Sequence, residues 1–228
     1  MKKIFLLTVA ALLALMSYAQ SDIAAVNLRV EYKPNAFTDV EKPRFSWELT
    51  SSVNNQVQTA WELIVASSEQ ILQSNKGDVW TSGKVNNNLT NQVEYNGKLL
   101  QSDKKYYWKV GSWDKKGVAG KWSKAASFST VLLKQSDWKA SWIGFDLNNE
   151  SVDKEYHLPP AAYMRKEAQV INEIKKANLY VSSLGIYEFY INGKRIGDDY
   201  FAPGWTDYNK RVYYNAYDVT KDITKGKN

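Results

Sequence analysis

Apolar side chains recur at every second position in several short runs of this chain, the signature of strands with one buried face. Phe45, Trp47 and Leu49 share one face of residues 43–49, and Pro43 opens that run, where a missing N–H costs least. Trp61, Leu63 and Val65 do the same in residues 60–67, and Tyr106, Trp108 and Val110 in residues 105–114. Residues 27–30 alternate weakly and residues 122–130 close the set. Polar turns, Asn-rich at residues 53–55 and 86–91, separate the runs. Strands at this spacing predict a β-sandwich over residues 22–132. One short helix is predicted over residues 67–75, with Ser67 as its cap and Gln70 reaching back.

A second group of strand patterns follows. Residues 162–170, 176–184, 187–191 and 211–219, with the Trp142-Ile143 segment, predict five or six strands within residues 137–228. The final Lys225-Gly226-Lys227-Asn228 reads as a turn. The fold class is therefore all-β, with two sandwich domains and few helix signals. The densest information lies in residues 187–208. Tyr187, Phe189 and Ile191 alternate, and Asn192-Gly193 follows at once. Asn-Gly tolerates positive φ at both central positions, which favours a two-residue type I′ hairpin. That loop fixes the register: Ile191 faces Lys194, Tyr190 faces Arg195 and Phe189 faces Ile196. A slip of one residue would turn Phe189 and Ile196 out to water. Pro203-Gly204 reads as another turn, with Pro presetting φ and Gly accepting φ > 0.

Trp205, Asp207 and Tyr208 come next and form the candidate carbohydrate-contacting group. A sugar ring stacks on an aromatic face, and a neighbouring carboxylate takes its hydroxyls. The competing expectation is that most aromatics of this stretch fill the core of the sandwich. Asp198, Asp199 and Asp207 are the nearest approach to a carboxylate cluster. They are expected to serve turns and caps, with a calcium or sugar-hydroxyl site as the alternative. No metal site and no cofactor are expected.

In the first domain Leu100 precedes Tyr106 by six residues, at the start of a long strand. That spacing suits a tyrosine corner, in which the phenol bonds back to the backbone just upstream. The domain resembles a fibronectin type III module. That pattern often has Pro two residues after the Leu, and here Ser102 stands in its place.

The second domain carries a more specific resemblance. Residues 179–220 contain YINGKRIGD, PGWTDYNKRV and YDVT in order, and SDWKASWIG lies ahead of them at residues 136–144. This arrangement resembles the β-sandwich N-terminal domain of bacterial α-L-rhamnosidases, glycoside hydrolases that release terminal L-rhamnose. The resemblance implies a jelly-roll-like second domain over residues 137–228, incomplete because a further apolar strand follows at this point in the family. It also implies a large catalytic (α/α)6 barrel downstream, carrying the acid and base of an inverting reaction. Neither catalytic carboxylate maps onto this chain, so the chain alone is expected to be inactive. The implied function is the accessory, substrate-recognition region of a secreted α-L-rhamnosidase, with a rhamnose-containing glycan or glycoside as partner. The alternative is a free-standing secreted carbohydrate-binding or adhesion protein. A second domain short of a strand has an open edge and an uncovered core. Residues 20–132 are therefore expected to fold alone, and residues 137–228 to be unstable.

The amino terminus reads as an address. Lys2 and Lys3 precede the apolar run of residues 4–16, and Ser17-Tyr18-Ala19 offers small residues where a signal peptidase looks. Residues 1–19 are expected to be a secretory signal peptide, cleaved after Ala19, leaving a periplasmic or secreted protein with no membrane span. Composition narrows the chemistry further. The chain has 228 residues and no Cys, so disulfides and thiolate catalysis are excluded. Its formal charge of +6 includes Lys2 and Lys3, and acidic and basic residues are interleaved, which argues against a nucleic-acid partner. The single histidine, His157, has no second His to build a zinc site and no Ser-Asp pair to serve. The Asn88 and Asn149 sequons are expected to be chance in a chain with a bacterial type of signal. No nucleophile elbow, P-loop, EF-hand loop or HExxH helix occurs.

Overall fold

The computed structural model describes residues 21–144 and 161–228. The proposed signal segment, His157, Pro159-Pro160 and the Asn149 sequon lie outside the described residues. The chain divides into two compact units, Met1–Lys139 and Ala140–Asn228.

In the first unit the alternating runs become strands β1 (Ala24–Val30), β2 (Phe37–Thr38), β3 (Arg44–Thr50) and β4 (Ala60–Ala66). After the short helix α1 (Glu69–Gln73) come β5 (Trp80–Thr81), β6 (Val93–Glu94), β7 (Lys105–Trp113) and β8 (Ala126–Thr130). They form a three-stranded sheet ordered β1-β3-β6 and a five-stranded sheet ordered β2-β8-β7-β4-β5. The long β4–β7 pair is antiparallel, with Leu63 opposite Val110 and Val65 opposite Trp108. In β1 the register shifts between Val26 and Arg29, where Asn27 takes φ 50°. Asn tolerates that left-handed conformation better than most residues, so the bulge falls where its cost is least.

The predicted inward faces are buried. Phe45, Leu63, Val65, Trp108 and Val110 have none of their surface exposed. Trp47, Trp61, Tyr106 and Phe128 join them in one cluster drawn from both sheets. Leu49 departs from the pattern: it lies at the end of its strand, 36% exposed. β4 departs in the other direction. Ile64 and Ala66, on its second face, are also buried, packed with Leu72 of α1 and with Trp122. A helix lying on the sheet covers what the period-two reading left to solvent. That helix begins one residue later than predicted. Ser68 is its N-cap, accepting from the Ile71 amide, while Ser67 donates its hydroxyl to Asp78 at 2.6 Å.

Two polar devices secure the edges. The Tyr106 hydroxyl accepts the Gln101 amide at 2.9 Å, beside the buried Leu100, so the tyrosine corner is formed. At the other end Asp22 accepts the Ser52 hydroxyl at 2.7 Å, the Ser51 hydroxyl at 2.7 Å and the Ser52 amide at 2.6 Å, tying the entry of β1 to the end of β3.

The second unit contains β9 (Gln169–Val170), β10 (Asn178–Ser182), β11 (Phe189–Ile191), β12 (Lys194–Ile196), β13 (Tyr214–Asp218) and β14 (Gly226–Lys227). They pair as three two-stranded antiparallel ladders, β10-β13, β11-β12 and β14-β9. The strands are shorter than their patterns, and the final residues form a strand where a turn was expected. Gly226 faces Val170, and the Ala168 and Asn228 backbones exchange hydrogen bonds at 2.9 and 3.0 Å. Trp142 and Ile143 belong to no strand and are 66% and 76% exposed. Among the described residues of this unit, the buried hydrophobics are Ile196, Ala202 and Val219. Among the described residues of the whole chain, no helix is long and apolar enough to cross a membrane.

Two outcomes are expected. Tyr106→Phe removes a hydrogen bond at a buried site and leaves the Gln101 amide unpaired, so the urea midpoint of the first unit should fall by the equivalent of about 1 kcal/mol. The donors around Asp22, the Ser52 hydroxyl first, lower its pKa from 3.8 to about 2. A carboxyl depressed on folding adds stability above its unfolded value, and that stability is lost as pH falls through the folded one. The difference in urea midpoint between the parent chain and Asp22→Asn should therefore hold above 3.8 and close as pH approaches about 2.

Candidate functional site

The hairpin that organises this region has the register its loop dictates. Phe189 pairs with Ile196, Tyr190 with Arg195 and Ile191 with Lys194, and Asn192 and Gly193 take φ 52° and 79°. Both central residues are left-handed, as a type I′ turn requires. Ile196 is buried and Tyr190 is exposed, so the two faces of the hairpin are distinct. The tip is tied down by the tail. The Asn192 side chain donates to the Asp222 carbonyl at 3.1 Å, and Lys194 pairs with the Asp222 carboxylate at 2.5 Å.

Beyond the hairpin the chain presses against β13. Gly197 adopts φ 78°, and a Cβ there would lie 2.5 Å from the Tyr217 ring. This close approach brings together side chains far apart in sequence. Tyr217 donates its hydroxyl to Asp199 at 3.0 Å, Asn215 donates to the same oxygen at 3.4 Å, and the Tyr187 and Tyr217 hydroxyls lie 3.2 Å apart. Burial, then the bond to Tyr217, pushes the Tyr187 phenol well above its ordinary range, and burial raises Tyr217 too. Arg195 donates to the Asp199 carbonyl at 2.7 Å and the Gly197 carbonyl at 3.3 Å, and its guanidinium lies 5.7 Å from the Tyr200 ring centre. Glu188 approaches Arg195 at 3.6 Å and accepts the Tyr190 hydroxyl at 2.8 Å. This bond, Glu188 first, raises the Tyr190 phenol. These partners are set by cross-strand placement, so alternation along one strand gave no sign of them.

The turn before Trp205 runs from Phe201 to Gly204, closed by the Gly204 amide on the Phe201 carbonyl at 3.0 Å. That bond makes Pro203 the third of the four turn residues, the Ala202–Pro203 peptide is cis, and Gly204 takes φ 105°. Trp205 then projects into solvent with 89% of its surface exposed, beside Phe201 at 78% and Tyr200 at 84%. These aromatics stand outside the core that the competing expectation assigned to them.

The other two candidates are engaged locally. Asp207 accepts the Asn209 amide at 3.1 Å, and its carbonyl accepts Lys210 and Arg211, both at 2.9 Å. Its carboxylate also lies 3.3 Å from the Lys210 ammonium. Asp207 is thus a turn-forming residue. The Tyr208 hydroxyl accepts the Gly185 amide at 2.8 Å, which holds its ring in place. Trp205, Asp207 and Tyr208 share one short loop, closed by the Thr206 hydroxyl donating to the Arg211 carbonyl. Asp199 is committed to Tyr217, and no group of three or more His, Cys, Asp or Glu that could hold a metal ion occurs among the described residues. Asp198, Asp199 and Asp207 do not converge on a common cation.

Comparison with known proteins gives two domain matches in tandem. A family described as the Rha78A-like, N-terminal immunoglobulin domain matches residues 25–134. The alpha-L-rhamnosidase N-terminal domain matches residues 172–228. An alpha-L-rhamnosidase of Formosa agariphila is 38% identical over 199 residues, covering 86% of this chain and 21% of that protein. Among solved structures, the alpha-L-rhamnosidase from Dictyoglumus thermophilum aligns with a TM-score of 0.80 at 37% identity, covering 90% of this chain and 24% of the other. The alfa-L-rhamnosidase from Aspergillus terreus aligns with a TM-score of 0.68 at 26% identity, covering 90% of this chain and 23% of the other. The chain spans under a quarter of the length of each of these three proteins.

Gly197→Ala tests the packing that gathers the Asp199 cluster. A non-glycine residue in the left-handed region costs about 1–2 kcal/mol before any clash. Hydrogen-exchange protection of the β10–β13 amides should fall about tenfold, and the hairpin amides of β11 and β12 should keep theirs.

Proposed function

With the two N-terminal domains of the α-L-rhamnosidase family identified in this chain, we propose that it serves as the accessory, substrate-recognition region of a secreted α-L-rhamnosidase. The tandem order of the two domain matches carries this reading. In it, cleavage of the glycosidic bond belongs to residues outside this chain. Hydrolysis by the usual route needs two carboxylates flanking one sugar bond. Among the described residues of the second unit, four carboxylates are used differently: Asp199 holds Tyr217, Asp207 builds a turn, Glu188 faces Arg195 and Asp222 pairs with Lys194.

The sugar-contacting element in this reading is the loop of Trp205, Asp207 and Tyr208. The exposed Trp205 ring offers the stacking face, and Tyr208, fixed by Gly185, belongs to the same loop. Asp207, whose carboxylate accepts the Asn209 amide, supplies the acidic group of that loop. The remaining exposed apolar residues of the second unit, Ile171, Leu184 and Ile186 among them, fit an accessory domain that is covered by further protein. Export through the segment of residues 1–19 would place the protein in the periplasm or outside the cell, where glycans are met.

Two measurements test the reading. A chromogenic α-L-rhamnoside incubated with this chain alone should give no turnover, and clear turnover overturns the assignment of the chemistry to residues elsewhere. Titration with L-rhamnose should quench tryptophan emission in the parent chain and not in Trp205→Phe. Equal quenching in both chains removes Trp205 from the contact.

A further inference from the structure

The corner loop of the first unit does more than close a sheet. Its residue Ser102 stands where the fibronectin pattern often has proline, and its hydroxyl is used twice. It donates to the Asp137 carboxylate at 2.5 Å and accepts the Leu133 amide at 3.0 Å. Both partners lie in the segment that leaves β8. The same Asp137 oxygen accepts the Lys134 amide at 3.1 Å, and the Asp137 amide returns to the Lys134 carbonyl at 3.0 Å. The segment is thereby wound into the 3₁₀ turn Gln135–Asp137, and the Lys139 ammonium donates to the Ser136 carbonyl at 2.7 Å. Isolated 3₁₀ turns are weak, with poorer hydrogen-bond geometry than an α-helix. This one is held from outside, by a side chain more than thirty positions earlier in the chain.

The loop that provides the anchor is itself rigid. Tyr106 holds the Gln101 amide, and Thr130 of β8 donates to the Gln101 carbonyl at 2.5 Å and accepts the Lys104 amide at 3.0 Å. The Asp103 amide bonds the Val131 carbonyl at 3.1 Å, and Leu133 packs against the core. The Ser102 hydroxyl first, with the Lys134 amide and the Lys134 and Lys139 charges after it, holds the Asp137 carboxyl below the ordinary carboxylate range. A charged acceptor strengthens the hydrogen bond it receives.

We propose that Ser102 and Asp137 form a latch that fastens the exit segment, residues 133–139, to the tyrosine-corner loop, so that the chain leaves the first unit through a fixed turn and not through a free linker. The latch is a conformational device of the first unit, and it stands whether or not the rhamnosidase reading does. Lys134 and Lys139 supply the readout, since a protease that cuts after lysine needs an extended, mobile backbone.

The test is limited trypsin digestion of the full chain, with fragments assigned by mass spectrometry. Ser102→Ala and Asp137→Ala should each speed cleavage after Lys134 and Lys139 by fivefold or more. The double variant should be no faster than the quicker single one, because both changes open the same contact. Cleavage after Lys98 and Lys104 should keep its parent rate, which separates an opened latch from a loosened unit. Unchanged cleavage after Lys134 and Lys139 in both single variants overturns the proposal. If Ser102→Ala lowers the melting midpoint of the first unit, Asp137→Ala decides alone, since among the described residues its carboxylate bonds Ser102 and the Lys134 amide.

Discussion

Phe45 has none of its surface in water and meets three rings of the facing sheet: Trp108 of β7 at 4.7 Å, Phe128 of β8 at 5.8 Å and Trp80 of β5 at 6.0 Å. The first two contacts are edge-to-face, the arrangement that ring quadrupoles favour. Through this one side chain the three-stranded sheet is keyed to three strands of the other. Trp47 repeats the device on Trp61, at 5.7 Å, and hands its indole N–H to the buried Gln58. Gln58 in turn accepts the Ser112 hydroxyl and donates to the Leu89 carbonyl. The core therefore combines shape with a polar network centred on Gln58, which favours a single packing over near alternatives, while the buried Trp108 indole N–H has no hydrogen-bond partner among the described residues.

The second unit follows a different economy of contacts. Its ladders are two strands wide, and a two-stranded ladder is marginal in water without a face to bury. What holds it is a set of polar and aromatic clips: the tail on the hairpin tip, Asp199 on Tyr217, and Arg195 on the carbonyls of Gly197 and Asp199. Such clips fix geometry but supply little hydrophobic stabilisation, because their members remain partly in water. The same openness leaves Trp205 and its neighbours available for contact.

Within the first unit the corner loop adds a second polar device. Tyr106 and Thr130 make it rigid from within the sandwich, and Ser102 uses that rigidity on the exit segment. A residue that breaks a familiar pattern, serine for proline, has acquired a partner that proline could not bond.

What the sequence determined by itself was whatever depends on neighbours in the chain. Period-two alternation located the inward faces of β3, β4 and β7, the spacing of Leu100 and Tyr106 gave the corner, and Asn192-Gly193 set the hairpin register residue by residue. Each of these is a local rule of backbone geometry, and the motifs of residues 190–220 added the family. Tertiary structure decided the rest. The second face of β4 is buried because α1 and Trp122 lie on it, Ser67 lost the helix cap because Asp78 takes its hydroxyl, and the tail became a strand because residues 169–170 offered it an edge. Tyr187, Asp199 and Tyr217 meet because Gly197 lets two segments touch, and Trp205 is exposed because no described element packs over it. Contacts between residues tens of positions apart leave no periodic trace, since each partner is chosen by the packing of whole strands and not by its own surroundings in the chain.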